Sequence, residues 1–142
     1  MDRPYDIEDL KRLTERLRDP EYGCPWDLKQ TYQSIAPFIL EECLELIDAL
    51  EQWDYEHVEE ELGDLLFCVI FYAQLGKEDG RFDFDSVVSG ITAKLLRRHP
   101  HVFKDGELEG VIEDRTSMAT IKANWEKTKA EERADRSQTS VM

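Results

Sequence analysis

The sequence has no apolar run long enough to cross a bilayer. Its longest, Leu65 to Ala73, falls far short of the ~20 residues a spanning helix needs. No signal pattern opens the chain, and the expectation is a soluble, cytoplasmic protein. Cysteine is scarce: Cys24, Cys43 and Cys68 are odd in number, widely spaced and form no CxxC. Two of them fall on apolar helix faces, which points to free thiols in a reducing compartment rather than a disulfide framework. A glycine-rich phosphate loop, a Rossmann glycine pattern and a nucleophile elbow are all missing, as are internal repeats and coiled-coil heptads. Positive charge is short as well. Eighteen Lys and Arg stand against 32 Asp and Glu, giving a net charge of −14 and a pI near 4.6. That balance argues against a nucleic-acid backbone or an anionic membrane as a general partner. A small anionic substrate fits only if metal ions and a local basic cluster receive it.

What is present is helical periodicity over 142 residues, enough for one domain with a real core. Ile7, Leu10, Leu13 and Leu17 mark a first amphipathic helix over 6–18, with Asp6 as its cap. Thr31 caps a helix running to about Gln52, with Pro37 in its opening turns and a core stripe of Leu40, Cys43, Leu44, Ile47 and Leu50. A break at Gln52 to Tyr55 offers Asp54 as the cap of a third helix, reaching about Lys77. Its middle, Leu65 to Ala73, is apolar on every side, which predicts a subunit interface.

These two helices carry Glu41-Glu42-Cys43-Leu44-Glu45 and Glu61-Leu62-Gly63-Asp64. An i,i+3 pair shares one helix face, so Glu42 projects with Glu45 and Glu61 with Asp64. A short connection makes the helices antiparallel and can set the pairs face to face. Acidic runs are common on solvated helix faces, and this chain is rich in acid. Glu61 and Asp64, however, share their face with Cys68, Phe71 and Leu75. Carboxylates in such a seam need a positive partner, and hard oxygen ligands without histidine suit Mg²⁺ or Mn²⁺. Glu41 sits about a hundred degrees round the helix from Glu42. Gly63 between the acids implies room for another helix or for substrate.

Elsewhere, Asp19 to Asp27 reads as a structured loop in which Trp26 either stacks on a ligand or, more commonly for loop tryptophans, anchors the loop on the core. Asp83 or Asp85 caps a fourth helix with Val87, Val88, Ile91, Leu95 and Leu96 on its apolar face. That helix ends in Lys94, Arg97 and Arg98, which either offset the helix dipole or clamp phosphate. His99 and His101 flank Pro100 and read as caps or packing groups rather than zinc ligands. Residues 104–115 read as a mobile acidic loop. Thr116 or Ser117 begins a last helix through Met118, Ile121, Trp125 and Thr128, and residues 134–142 form a polar tail beyond a domain spanning 1–133.

Taken together, Gly23-Cys24-Pro25-Trp26-Asp27, Glu41-Glu42-x-x-Glu45, Glu61-Leu62-Gly63-Asp64, Gly80-Arg81-Phe82-Asp83-Phe84 and Arg97-Arg98-His99-Pro100-His101-Val102-Phe103 resemble the MazG family of nucleoside triphosphate pyrophosphohydrolases. The resemblance covers about residues 6–133. It implies an all-α bundle of four to five helices, forming a homodimer or higher oligomer with active sites built on four-helix bundles. It also implies Mg²⁺-dependent conversion of an NTP or dNTP to its monophosphate and pyrophosphate. On the family pattern Glu42, Glu45, Glu61 and Asp64 match the metal ligands, with Glu41 nearby as a supporting or base residue. Lys94 and Arg98, with Arg97 beside them, resemble the phosphate-binding cations, and Trp125 resembles a residue near the base.

Many members carry two such domains in tandem, and this chain resembles the N-terminal type, which can be the less active of the pair. All four ligand positions are intact, which favours activity. The implied role is nucleotide-pool house-cleaning or alarmone-linked control. The alternatives are a catalytically silent dimerisation or partner-binding module, and a narrower enzyme for dUTP, dCTP or phosphoribosyl-ATP.

Overall fold

The computed structural model describes residues 3–113 and 117–140. Six α-helices appear in order: α1 Ile7–Leu17, α2 Pro25–Leu28, α3 Tyr32–Glu51, α4 Tyr55–Glu78, α5 Phe84–Arg98 and α6 Met118–Ser140. A 3₁₀ turn at Lys104–Gly106 joins the last two, and no strand occurs among the described residues. The all-α expectation holds. No helix among the described residues is long and apolar enough to cross a membrane.

The caps explain the boundaries. Asp6 accepts from the Asp9 N–H and Thr31 from the Ser34 N–H, each in a reciprocal capping box. Asp54 accepts from the His57 N–H, and Asp83 rather than Asp85 accepts from Ser86, at 2.8 Å. Ser117 receives the Thr120 N–H at 3.2 Å; Thr116, the other candidate cap, lies outside the described residues. α3 passes through Pro37 without ending.

The chain gathers into two compact units, Met1–Val87 and Val88–Met142, a division falling inside α5 that the sequence pattern does not mark. In the first unit α3 and α1 both pack on α4. Ile35, Phe71 and Leu75 form the core, joined by Tyr32, Ile39, Phe67 and Tyr72. The Tyr72 hydroxyl donates to the Tyr32 carbonyl at 2.6 Å, locking the α3–α4 pair at that end. At the other end the connection is tight, and Trp53 takes a left-handed φ of 57° to close it.

The stripe that spacing marks as the α3 core needs correcting. Leu40, Leu44, Ile47 and Leu50 are exposed, Leu40 at 63 %. The covered face instead runs through Ile35, Ile39, Glu42, Leu46 and Ala49. α3 carries two apolar faces, and α4 covers only one of them. α4 itself is not buried all round, because Leu62, Leu66 and Val69 stay exposed. The intended α5 face is likewise open at Val87, Val88, Ile91 and Leu95. A Cβ built on Gly63 would meet nothing within 4 Å, so no element among the described residues uses the room it leaves.

In the second unit, α5 ends in Arg97 and Arg98, which both bind Glu132 of α6. The acidic stretch expected to be mobile closes on itself at its start, with the Gly110 N–H donating to Glu107. Asp114 and Arg115 lie outside the described residues. α6 continues through Ser140, so most of the expected polar tail is helical. Residues 141–142 lie outside the described residues.

Candidate functional site

The α3–α4 hairpin does what the motif spacing requires. Glu42, Glu45 and Glu61 each offer a carboxylate oxygen within 4.8 Å of the others. Glu61 is 6 % exposed, Glu42 is half-buried and Glu45 is exposed. Cys68, Phe71 and Leu75, on the Glu61 face, are all buried, which is why Glu61 sits in apolar surroundings.

Three carboxylates at this range cannot all hold full charge comfortably. The Glu42 carboxyl is pushed up to about 7, first by its contact with Glu61, then by burial and by the charges of Glu45 and Asp64. Glu45 is also raised, chiefly by the charge of Glu61. Glu61 is lowered, first by its contact with Glu42, with Glu45 and His57 adding to this.

Two buried oxygens, Glu42 Oε2 and Glu61 Oε2, have no hydrogen-bond partner. Such orphans demand an explanation, and a hard divalent cation supplies one. On this donor set the residues fit a Mg²⁺-type ion.

Asp64 is exposed and stands outside the trio, but with Glu42 it lines a cavity of about 250 Å³ between α3 and α4. Trp26, Phe38, Phe67 and Phe71 supply its apolar wall. Trp26 is 65 % exposed and so does not anchor its loop on the core. Arg18 does that work. Its guanidinium donates to the Asp27 and Gln30 carbonyls at 2.7 and 3.4 Å and grips the Glu78 carboxylate at 2.6 and 3.1 Å. Gly23 permits the loop's sharp return: a Cβ there would fall 2.4 Å from the Leu17 carbonyl oxygen. The Cys68 thiol, on the cavity wall, is raised by burial first and then by the nearby carboxylates. All three cysteines are free.

Glu41 is exposed and takes no part in the cluster. The expected substrate cations lie in the second unit. Arg97 Nε and Arg98 Nη2 donate to the two oxygens of Glu132 at 2.6 and 2.7 Å. The Arg98 guanidinium also lies 5.1 Å from the Trp125 ring centre, and His99 packs edge-on to the same ring at 5.3 Å. Lys94 lines a cleft with Arg97, Arg98 and Glu132. Nothing in the sequence marks Glu132 as the partner of a cation 34 residues away.

One member of the acidic site was also missed. His57 Nε2 lies 2.9 Å from Glu61 Oε1. The signal is legible in the sequence, since His57 precedes Glu61 by one helical turn, but it lies outside the acidic pairs themselves.

Residues 30–103 match the profile of the MazG nucleotide pyrophosphohydrolase domain. The chain is 48 % identical over 136 residues to the Escherichia coli K12 nucleoside triphosphate pyrophosphohydrolase, covering 96 % of this chain and 49 % of that protein. It is 40 % identical over 135 residues to the Thermotoga maritima protein named nucleoside triphosphate pyrophosphohydrolase/pyrophosphatase MazG, covering 95 % and 48 %. It thus spans about half the length of these relatives. A crystal structure of a MazG-related protein from Thermotoga maritima superposes with a TM-score of 0.70 at 26 % identity, covering 87 % of this chain and 99 % of that one. The profile spans just over half the chain and contains every residue of the acidic cluster, so the chain belongs to the MazG nucleotide pyrophosphohydrolase domain family.

Proposed function

We propose that this chain hydrolyses nucleoside triphosphates, NTP or dNTP, to the monophosphate and pyrophosphate, using Mg²⁺ held by Glu42, Glu45 and Glu61 with Asp64 beside them. The observation that carries this is the pair of partnerless buried oxygens, Glu42 Oε2 and Glu61 Oε2, beside an aromatic-walled cavity. The names of the relatives support the same reaction class.

When bound, the ion neutralises phosphate oxygens and makes a water more acidic. The cavity walls receive the nucleoside, with Trp26, Phe38 and Phe67 as apolar and stacking surface. Asp64, on the cavity wall and outside the trio, takes the proton of the attacking water, and Glu41 is the other carboxylate left free to do so. Attack on the α-phosphorus breaks its bond to the bridging oxygen, and pyrophosphate leaves with the bonding pair. In the second unit, Lys94, Arg97 and Arg98 form an anion-receiving group of their own, with Trp125, against which Arg98 packs, as the alternative ring for a nucleotide base. Phosphate competing with Glu132 for Arg97 and Arg98 would mark that role.

The exposed stripes Leu40–Leu44–Ile47 and Leu62–Leu66–Val69 support a homodimer or higher oligomer that covers them. The same stripes favour a second reading, a non-catalytic association module that keeps the acidic cluster as metal-binding structure. The role we assign is cytoplasmic nucleotide-pool house-cleaning or alarmone-linked control. The deciding experiment is pyrophosphate release from a panel of NTPs and dNTPs, with Mg²⁺ and with chelator. Mg²⁺-dependent release with monophosphate as co-product is expected, and the ranking of bases would expose a narrow preference such as dUTP or dCTP. Phosphoribosyl-ATP belongs on the same panel. Silence from folded protein across all substrates would overturn the enzymatic reading in favour of the module.

A further inference from the structure

The acidic cluster contains one group that is not an acid. His57 is the third residue of α4, and its backbone N–H is tied to the Asp54 cap at 3.2 Å. The cap fixes the first turn of the helix, and the i,i+4 spacing then sets the imidazole directly before the Glu61 carboxylate. The two meet at 2.9 Å, Nε2 to Oε1. The two oxygens of Glu61 are therefore unequal. Oε1 is taken by His57, while Oε2 is buried and without a partner. The His57 side chain is 39 % exposed, against 7 % for Glu61, so a partly exposed imidazole reaches a buried carboxylate.

We propose that His57 is a positioning residue for the cation site: by donating its Nε2–H to Glu61 Oε1, it locks the carboxylate's rotation and leaves Oε2 as the oxygen free for an ion shared with Glu42 and Glu45. This inference rests on the metal-site reading given above. A ligand carboxylate whose second oxygen is pinned loses less rotational freedom on binding an ion. Without the pin, the Glu61 carboxylate can turn and leave a buried oxygen unsatisfied, at the expense of affinity. The plain alternative is an i,i+4 helix pair that supports α4 and nothing else.

The test is Mn²⁺ binding to the full 142-residue chain, read by loss of the free-ion electron paramagnetic resonance signal, for wild type, His57→Ala, His57→Gln and Glu61→Ala. Glutamine places an amide N–H where the imidazole Nε2–H was, so it keeps the donor and discards the ring. We expect Mn²⁺ affinity to fall roughly tenfold to a hundredfold in His57→Ala. His57→Gln should return to near the wild-type value. Thermal unfolding in chelator separates the alternative: a purely helix-supporting role lowers the melting temperature of His57→Ala while leaving its Mn²⁺ affinity unchanged, and that result overturns the proposal. Equal weakening in both His57 variants overturns it too, because the donated hydrogen bond would then not be the cause. Wild type that binds no Mn²⁺, or Glu61→Ala that binds as wild type does, would bring down the metal-site reading itself and this inference with it. Because His57 is partly exposed in the first turn of α4, both variants should fold, which far-ultraviolet circular dichroism checks.

Discussion

Replacing Glu42 by Gln tests the charge crowding at the centre of the site. The Glu42 carboxyl is raised to about 7 by its contact with Glu61, by burial and by the charges around it. Between pH 4.5 and about 7 the folded chain therefore holds a proton that the unfolded chain has released, so stability falls as pH rises through that window. The penalty is absent below about pH 4.5 and complete above about pH 7. A shift of this size sets a ceiling of about 3 kcal/mol, which solvent around the half-buried group reduces to about 1–2 kcal/mol.

Glu42→Gln removes the charge and adds a donor toward Glu61, so without metal the variant should be the more stable protein at high pH. For a chain of this size that is roughly 3–8 °C in melting temperature. The assay is thermal unfolding by circular dichroism in chelator from pH 4.5 to 8.5. The two proteins should coincide near pH 4.5 and separate as pH rises, with Glu42→Gln on top. Added Mg²⁺ or Mn²⁺ should then raise wild type and leave the variant nearly unmoved. Three results would refute the reasoning: no gain at pH 8 in chelator, a gain independent of pH, or an equal response of both proteins to metal.

Glu45→Ala and Asp64→Ala should each abolish Mg²⁺-dependent pyrophosphate release while leaving helical circular dichroism intact, and undiminished turnover in both would put the chemistry elsewhere. Arg18→Ala strips the Asp27 and Gln30 carbonyls and the Glu78 carboxylate of their shared donor. It should cost about 2–3 kcal/mol and weaken nucleotide binding by freeing the Trp26 loop, so a melting temperature within two degrees of wild type would remove Arg18 as the anchor. Gly76→Ala would drive a Cβ to 2.4 Å from the Phe82 ring and should destabilise by about 1–3 kcal/mol in urea unfolding, with no effect expected if that ring moves freely.

Local features of this chain were readable because their causes are local. Asp6, Thr31 and Asp54 cap the helices that follow them since a cap needs only the next three residues. The acidic motif was readable for a related reason. Its i,i+3 spacing fixes one face, and a three-residue connection leaves the helices little choice but to run antiparallel. Arg18, Glu78 and Glu132 were not readable, because each finds its partner 34 or more residues away or through a loop carbonyl that no residue type announces. Asp64 was placed by the motif but stands on the cavity wall rather than within the trio, a distinction of side-chain reach that spacing does not carry.

The apolar stripe on α3 shows where periodicity stops being informative. Periodicity reports the angle of a residue about its own axis and says nothing about what lies on that side. Leu40, Leu44 and Ile47 stand roughly 140–200° round the helix from Glu42. Their regular spacing reads as a core because apolar stripes normally face one. Here the face toward α4 holds Ile35, Glu42, Leu46 and Ala49, and the leucine stripe faces outward. One helix thus carries the acidic cluster on one side and uncovered apolar surface on the other. A chain that only needed to fold would gain nothing from that surface, and would lose solubility by keeping it. The two faces therefore place separate demands on α3. The carboxylates are expected to answer to metal and substrate, the leucines to another protein surface, and a substitution on either face should leave the other's task largely untouched.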